Sequence, residues 1–227
     1  DKIIKYYPDN QLSETIWDMS DNPVPIYCMY SNNRGTLWAG SYESKLLRID
    51  IVNRKTETVN LTEKGYNIEN ICPGDDNDLW IAFLGGGVCN YNILTGQKKF
   101  YTTANGLSNN TTYSILKDNS GKIWVSTNQG ISRIDPETGY IRVFGQNDGL
   151  NIVEFNSDAA YISADGKFYF GGMGGIVEFD PDSIEIREKQ YLKQKPILTD
   201  LKVSGVRKNI KGYLNNTDTI VFDKGED

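Results

Sequence analysis

Short apolar runs alternate with clusters of turn-forming residues along most of the chain. Between residues 112 and 144 the apolar runs span 112–116, 122–127, 131–134 and 140–144, and Gly, Asn, Asp and Pro fill the gaps. Runs of this length, bounded by turn residues, are typical of β-strands. No window of a dozen residues carries a convincing helical period. The pattern therefore predicts a four-stranded antiparallel meander.

The same pattern recurs about every 43 residues. In each copy an aromatic residue follows a turn residue at a fixed distance. These pairs are Gly35 and Trp38, Asn77 and Trp80, Gly121 and Trp124, and Gly166 and Tyr169. Four-stranded units of this length stack face to face as the blades of a β-propeller. We therefore predict an all-β fold of about four such blades, with the four aromatic residues in the core between neighbouring blades.

The alignment of the copies sets the expected boundaries. We expect repeats at approximately 14–61, 66–104, 110–147 and 153–184, with residues 1–8 as the outer strand of a further blade. The charged segment 185–195 is interpreted as a linker, and 196–227 as the truncated start of a β-sandwich, with strands expected at 196–205 and 219–222. Because the opening strand lacks the rest of its blade, we expect the sequence to be a piece of a longer protein.

The fourth repeat has no outer strand of its own, so a strand from elsewhere would have to complete its blade. Residues 2–7 are predicted to pair with the strand at 176–179, which would close a ring of four blades. The first alternative is an open half-ring that dimerises through its exposed edges, since unpaired strand edges favour association. The second is a larger propeller of which these repeats are one part.

The charge and the length of the apolar runs argue against two classes of function, nucleic-acid binding and membrane spanning. The net charge is −6 and Lys and Arg form no basic cluster, so nucleic-acid binding is not expected. No apolar run approaches the roughly 18 residues of a membrane-spanning helix. Any link to a membrane would therefore be a helix outside this sequence. The three cysteines, Cys28, Cys72 and Cys89, are expected to be buried free thiols.

The sequence offers few groups for catalysis. It contains no histidine, which excludes Ser-His-Asp, Cys-His and histidine-based metal sites. The acidic stretch 75–78 and the glycine runs 85–87 and 171–175 all fall at turns between predicted strands. Neither a calcium loop nor a phosphate-binding loop is expected there. We predict no catalytic residue, no metal site and no cofactor.

Ligand binding is the remaining class of function. In a propeller, the loops that lead into the innermost strands lie at one mouth of the channel, and here they are rich in amide and aromatic side chains. The candidate ligand-binding residues are Trp17, Asn109, Asn110, Tyr113, Asn151, Glu154, Phe155 and Asn156. Planar hydrogen-bonding groups beside apolar ring faces suit neutral sugars. The competing interpretation is structural, since Asn also favours turns and Tyr113 would then face a neighbouring blade.

One stretch carries a specific series of motifs. Residues 105–139 contain NGL, ILKDNSGKIW, a QGI turn and a DPETG turn, in that order. In this they resemble the repeats of the two-component regulator propeller family. Residues 149–184 are similar to the terminal propeller repeat of the same proteins, and the segment from residue 195 is similar to the first strands of the Ig-like Y_Y_Y domain that follows it. The first copy departs most, with residues 50–54 in place of the DPxTG turn.

The resemblance implies the periplasmic sensor region of a hybrid two-component system. In such proteins the propellers and the Ig-like domain precede a transmembrane helix, and a histidine kinase, a receiver and a DNA-binding domain follow in the cytoplasm. The ligand would be an oligosaccharide, the output would be transcription of glycan-utilisation genes, and the full-length protein would be a homodimer. The alternatives are a structural or protein-interaction propeller that binds no ligand itself, and a propeller lyase or hydrolase.

Overall fold

The computed structural model describes residues 2–18, 24–32, 34–75, 77–192, 202–203 and 206–207. The chain divides into two compact units, Asp1–Asp182 and Ser183–Asp227, which we describe separately. The first unit is built from strands. They are β1 (Lys2–Tyr7), β2 (Leu12–Asp18), β3 (Ile26–Ser31), β4 (Thr36–Ser41), β5 (Lys45–Asp50), β6 (Lys55–Asn60), β7 (Asn67–Pro73), β8 (Asp78–Leu84), β9 (Gly87–Asn92), β10 (Lys98–Tyr101), β11 (Thr112–Lys117), β12 (Ile123–Thr127), β13 (Gly130–Ile134), β14 (Ile141–Phe144), β15 (Phe155–Ile162), β16 (Phe168–Gly172) and β17 (Gly175–Phe179).

Consecutive strands pair into a series of antiparallel sheets. Strands β3–β6, β7–β10 and β11–β14 form three four-stranded sheets, and β15–β17 form a three-stranded sheet. We call these sheets blades 1 to 4 in chain order. Short 3₁₀ turns, Thr103–Asn105 and Gln146–Asp148, follow the outer strands of blades 2 and 3. The prediction of an all-β fold made of repeated antiparallel blades is confirmed.

The turn between β11 and β12 explains why the repeat places its turn and its aromatic residue at a fixed distance. Asp118 Oδ1 accepts hydrogen bonds from the backbone N–H groups of Ser120 (3.0 Å) and Lys122 (2.8 Å). Gly121 has a φ of 83°, a left-handed conformation that glycine adopts without strain. Asp118 Oδ2 accepts a further bond from Trp124 Nε1 at 2.7 Å. One carboxylate therefore holds both the turn and the core indole.

The core lies between the blades. We call the face of each blade that carries the repeat aromatic residue its forward face, and the opposite face its reverse face. Trp38 packs in a buried cluster with residues of blade 2, and Trp80 packs in another with residues of blade 3. Trp124 stacks on Phe144 of its own blade and contacts Phe168 and Phe179 of blade 4. The forward faces of blades 1 to 3 are thus each covered by the reverse face of the next blade.

The predicted closure of the ring is wrong in its strand pairing. Strand β1 pairs with β2, with Lys2 opposite Asp18 and Tyr7 opposite Leu12, rather than with β17. The hairpin packs on the reverse face of blade 1 through a cluster that includes Ile16 and Leu47. Among the described strands, β17 pairs with β16 alone. The reason is local, because a strand followed by a short turn reaches its sequence neighbour before a distant edge.

The second unit differs from the sequence-based expectation at two points. Residues 181–192 form helix α1 (Pro181–Leu192), which begins at the end of the first unit and occupies most of the segment interpreted as a linker. Two short strands, β18 (Lys202–Val203) and β19 (Val206–Arg207), pair antiparallel within the predicted strand 196–205 and just beyond it. The remainder of the predicted β-sandwich, including the strand at 219–222, lies outside the described residues.

Candidate functional site

The first strands of the four blades lie side by side and form the inner edge of the stack. Each of them, β3, β7, β11 and β15, contains a β-bulge near its start. The residues within these irregularities include Tyr27, Glu69, Tyr113 and Asp158. Bulges re-aim side chains and are common beside functional sites. The repeat thus places one irregular segment per blade at the inner edge.

Side chains from these bulges approach one another across the inner edge. Ser157 Oγ of blade 4 donates a hydrogen bond of 2.7 Å to Glu69 Oε2 of blade 2. Burial raises the pKa of Tyr113, and the negative charges of Glu154 and Glu69 raise it further. Asp158 has a φ of 56°, which is uncommon outside glycine. Polar groups from blades 2, 3 and 4 therefore lie within electrostatic reach of one another.

Three of the predicted ligand-binding residues lie at or beside this inner edge. Tyr113 is partly buried in β11, and its hydroxyl donates a hydrogen bond of 3.2 Å to Asn128 Oδ1 in the next turn. Glu154 is exposed just before β15, and its backbone oxygen accepts a bond from Met173 N. Asn156 is exposed one position after the start of β15. The side chains of Glu69 and Ser157, which bond across the edge, were not predicted from the sequence.

Two other predicted residues stabilise the loop between blades 2 and 3. Asn109 Oδ1 accepts a bond of 2.7 Å from Thr111 N, and Asn110 Oδ1 accepts one of 2.8 Å from Thr103 N. The backbone oxygen of Asn110 also accepts a bond from Gly87 N of blade 2. Both side-chain oxygens thus stabilise the loop, which agrees with the competing interpretation that these asparagines have a structural role.

The remaining candidates lie apart from this group. Trp17 is in β2, opposite Ile3, and packs in the cluster between the hairpin and blade 1. Asn151 is exposed in the loop between blades 3 and 4. Phe155 is 1% exposed and contacts Phe170, so it belongs to the core and not to a ligand-binding surface. The structure therefore does not gather all of the candidates into one site.

A cavity of about 480 Å³ lies at the loop end of blade 3. Its lining is part polar and part apolar, with amide, hydroxyl and carboxylate groups beside two valines. The lining residues are Ser108, Gln129, Val143, Gly145, Gln146, Asn147, Asp148 and Val153. Asn109 and Glu154 adjoin two of them in sequence. The cavity is therefore formed by loops that were predicted to bind ligand, but the residues that line it differ from the predicted ones.

Hydrogen bonds fix the shape of the cavity wall. Ser108 Oγ lies 2.9 Å from the hydroxyl oxygens of both Thr127 and Ser132. The Gly130 backbone N–H donates to the Val153 backbone oxygen at 2.6 Å. Gln146 and Asn147 lie in an exposed 3₁₀ turn. Their position in a loop between repeats was the only signal in the sequence that could have identified them.

The carboxylates and thiols of the described residues were considered as metal ligands and as nucleophiles. They contain no cluster of three or more His, Cys, Asp and Glu side chains that could hold a metal ion. Burial raises the pKa of each of the thiols of Cys28, Cys72 and Cys89 to about 12, so these thiols are poor nucleophiles near neutral pH. All three cysteines are free, and Cys72 and Cys89 are buried. In the described part of the chain, no helix has the length and apolar character to cross a membrane.

Comparison with known proteins agrees with the repeat pattern. Residues 106–129 match the family model described as "Two component regulator propeller". A stretch of 99 residues is 34% identical to "Histidine kinase P4" of Formosa agariphila. That stretch is 44% of this chain and 7% of the kinase.

Solved structures of similar fold include two from B. thetaiotaomicron. The extracellular domain of a proposed one component system superposes with a TM-score of 0.62 at 23% identity, over 77% of this chain and 26% of that one. The extracellular domain of a proposed hybrid two component system gives a TM-score of 0.58 at 18% identity, over 89% of this chain and 34% of that one. At these identities the likeness establishes the propeller-type fold. The present chain spans about a quarter to a third of the length of these relatives.

Proposed function

Because this chain carries a two-component regulator propeller repeat, we propose that it is an extracytoplasmic ligand-sensing module of a hybrid two-component signalling protein. The match of residues 106–129 to the family model carries this proposal. The similarity of a longer stretch to a protein named as a histidine kinase supports it. In this proposal the kinase activity belongs to the full-length protein, and the present chain catalyses nothing.

The proposed location is the periplasmic side of an inner membrane. The support is that the solved structures of similar fold are described as extracellular domains. A sensor on that side would need a membrane-spanning segment elsewhere in the polypeptide to reach a cytoplasmic kinase. We propose that ligand binding changes the approach of two copies in a homodimer, which then alters kinase activity and the transcription of glycan-utilisation genes.

The proposed ligand is an oligosaccharide bound at the loop end of the blades. The cavity at blade 3 has a volume within the usual range of ligand sites, about 300–1,000 Å³. Its amide and hydroxyl groups can both donate and accept hydrogen bonds, as sugar hydroxyls require. Gln146 and Asn147 are exposed there and can reorient to meet a ligand.

Calorimetric titration tests this proposal. The chain, and the complete extracytoplasmic region of its parent protein, would each be titrated with a panel of oligosaccharides. We expect at least one sugar to bind both, and the double variant Gln146→Ala/Asn147→Ala to weaken binding about tenfold or more, since each lost hydrogen bond costs about 0.5–1.5 kcal/mol. Gln97→Ala, which removes an exposed amide from the β9–β10 turn, is the matched control and should bind as the parent does.

The other outcomes distinguish the alternatives. Binding by the complete region alone would favour a structural propeller whose ligand is held elsewhere. If neither protein binds any of the sugars, the proposal of an oligosaccharide sensor is rejected. Conversion of a sugar to product would favour a propeller lyase or hydrolase. Circular dichroism of each variant separates loss of binding from loss of fold.

A further inference from the structure

Blades 2 and 3 end in loops of the same backbone shape. The Gly87 backbone N–H donates to the Asn110 backbone oxygen at 2.7 Å, and the Gly130 backbone N–H donates to the Val153 backbone oxygen at 2.6 Å. These two bonds join positions that are 43 residues apart in the two blades. The 3₁₀ turn after each blade also ends on a glycine with a left-handed backbone. The side chains at corresponding positions of the two loop ends can therefore be compared directly.

In blade 2 aromatic rings occupy the loop end of the reverse face. Phe83 and Cys89 belong to the buried cluster between blades 1 and 2, and Phe100 packs against it. The ring centroid of Phe83 lies 6.2 Å from that of Phe100 and 6.3 Å from that of Tyr66. A Cβ atom at Gly86, in the β8–β9 turn, would lie 2.5 Å from Tyr66 Cδ2. The loop end of blade 2 is therefore filled.

Blade 3 has smaller side chains at the same positions. Thr127 and Ser132 are buried, and the hydroxyl oxygen of each lies 2.9 Å from Ser108 Oγ. Val143 lines the cavity. The strand register makes Thr127, Ser132 and Val143 the counterparts of Phe83, Cys89 and Phe100, respectively. The cavity of blade 3 therefore lies where blade 2 carries two additional rings, and its wall is held by buried, hydrogen-bonded hydroxyl groups.

The loops after the two blades differ at a further position. In blade 2 the Asn110 side chain folds back on the 3₁₀ turn, where its Oδ1 accepts a hydrogen bond of 2.8 Å from Thr103 N. Val153 is the counterpart of Asn110, and Gln146 is the counterpart of Thr103. Both Val153 and Gln146 line the cavity. Because a valine side chain cannot accept this bond, the place of the Asn110 carboxamide is part of the cavity in blade 3.

The groups around this place suit a substituent that is apolar at one end and an amide at the other. Val143 and Val153 offer apolar surface to a methyl group. A carbonyl oxygen at the place of Asn110 Oδ1 would accept a hydrogen bond from the Gln146 backbone N–H, as Asn110 Oδ1 does from Thr103 N. The amide and hydroxyl side chains of the lining can bond an N–H group. A methyl group joined to an amide is an acetamido group.

The charge of the lining argues against an acidic ligand. Among the described residues that line the cavity, Asp148 alone carries a charged side chain. Its carboxylate accepts hydrogen bonds from Arg142 at 3.4 Å and from the Gly145 backbone N–H at 3.0 Å. A sulfate or carboxylate group on the ligand would therefore meet a carboxylate and no cationic side chain in the described lining.

We propose that this cavity binds the acetamido group of an N-acetylated sugar. The methyl group packs on Val143 and Val153, and the carbonyl oxygen takes the place that Asn110 Oδ1 has in blade 2. The two valines thus determine specificity, because they leave this space open in blade 3. The inference rests on the proposed function as an oligosaccharide sensor and specifies the substituent that the sensor recognises.

Matched pairs of sugars test this inference. Calorimetric titration of this chain, and of the complete extracytoplasmic region, would compare N-acetylated chitotriose with cellotriose, which has the same linkage and a hydroxyl group in place of each acetamido group. N-acetylgalactosamine and galactose form a second pair. We expect the acetylated member of at least one pair to bind about tenfold tighter or more, since it adds a hydrogen bond and a buried methyl group. Fully deacetylated chitotriose, which carries amino groups, should lose this gain.

Two substitutions in one loop locate the acetamido group. Val153→Asn introduces the residue of blade 2 at the cavity and should reduce the preference for the acetylated sugar to about twofold or less, because its own carboxamide fills the place. Ile152→Asn is the matched control. Ile152 is the counterpart of Asn109 and does not line the cavity, so this variant should keep the preference. Circular dichroism checks the fold of both variants.

The outcomes separate this inference from the proposed function. Equal affinities within both pairs would reject the acetamido group, while the sensor would stand if any sugar of the panel binds. Deacetylated chitotriose that binds as tightly as the acetylated form would show attraction to Asp148 and would also overturn the inference, as would an unchanged preference in folded Val153→Asn. If no sugar binds, both proposals are rejected. The sugar pairs decide on the unmodified protein even if Val153→Asn does not fold.

Discussion

Blades 3 and 4 place their repeat aromatic residues in the same strand position, yet in different surroundings. Trp124 is 1% exposed, with ring centroids of Phe144 at 5.2 Å and Phe179 at 4.9 Å. Tyr169 is only partly buried, and its nearest ring is that of Tyr161, at 6.3 Å and itself largely exposed. The difference is the presence of a next blade. The sequence of one repeat therefore specifies a face, and its neighbour determines whether that face contributes to stability.

Truncation of the two aromatic residues is the strongest test of this comparison. Trp124→Ala should lower the free energy of unfolding by about 3–5 kcal/mol, because it removes the centre of an interface and leaves a cavity. It also leaves the buried Asp118 without its indole donor. Tyr169→Ala in this chain should produce little change. Urea denaturation monitored by circular dichroism measures both, and comparable losses would contradict the difference drawn between the blades.

Gly40 and Gly171 lie two positions after the repeat aromatic residues of blades 1 and 4. Adding a methyl group at each glycine tests the same faces by crowding them rather than by removing a side chain. Gly40→Ala should cost about 1–3 kcal/mol, since the added Cβ would overlap Ile68 of blade 2 and Cys28. Gly171→Ala should cost less, because its Cβ would meet only Ala159 of the same blade, with 3.1 Å between the two Cβ atoms. Neither glycine has a positive φ, so the substitutions differ in packing and not in backbone strain. Thermal unfolding of both variants is sufficient, and a loss of stability at Gly171→Ala as large as that at Gly40→Ala would contradict the difference drawn between blades 1 and 4.

Ion pairs of two matching lysines, Lys122 and Lys167, give the smallest expected difference, although their carboxylate partners stand at different places in the repeat. Lys122 bonds to Asp135 in blade 3, with side chains 23% and 22% exposed, and Lys167 bonds to Glu178 in blade 4, with side chains 42% and 48% exposed. Burial would raise the pKa of Asp135, but hydrogen bonds from Lys122, Thr138 and Glu137 outweigh it and hold the pKa below its ordinary value. The hydrogen bond from Lys167, with its positive charge, likewise lowers the pKa of Glu178.

A pH series measures the contribution of the two carboxylates. A lowered pKa in the folded state stabilises the protein above the ordinary pKa of the group, and the stabilisation disappears as the pH falls through the folded-state value. Asp135→Asn should therefore lower stability at pH 7 by about 1 kcal/mol or less, with the difference fading below roughly pH 4. Glu178→Gln, at a more exposed pair, should change stability less at every pH. A larger effect at Glu178 would reverse the expected order.

Some features of the fold could be predicted from the sequence because they are local. The Asp118-to-Gly121 turn and the position of Trp124 depend on residues within one hairpin, so the pattern of a single copy identifies them. The loops around the cavity could also be placed, since they join one blade to the next. Helix α1 was missed because its apolar positions lack a helical period and its sequence is rich in charged residues.

The candidate site was predicted only in part, for a physical reason. Glu69 and Ser157 are 88 positions apart and come into contact because bulges in β7 and β15 turn their side chains towards each other. A bulge changes which face a side chain occupies, and the alternation of residues along a strand does not reveal it. Phe155 failed as a candidate for a related reason, because the strand begins at that residue and its ring points into the core.

The sequence by itself determined the unit of this protein: four strands, their turns, and an aromatic residue that requires a covering face. The tertiary structure decided what covers each face. The next blade covers each of Trp38, Trp80 and Trp124, and the β1–β2 hairpin covers the reverse face of blade 1. Tyr169 remains partly exposed. The reason is that turn and strand formation involve neighbouring residues, whereas burial of a sheet face depends on a second sheet. Identical local patterns can therefore have different environments, and only the packing of the blades distinguishes them.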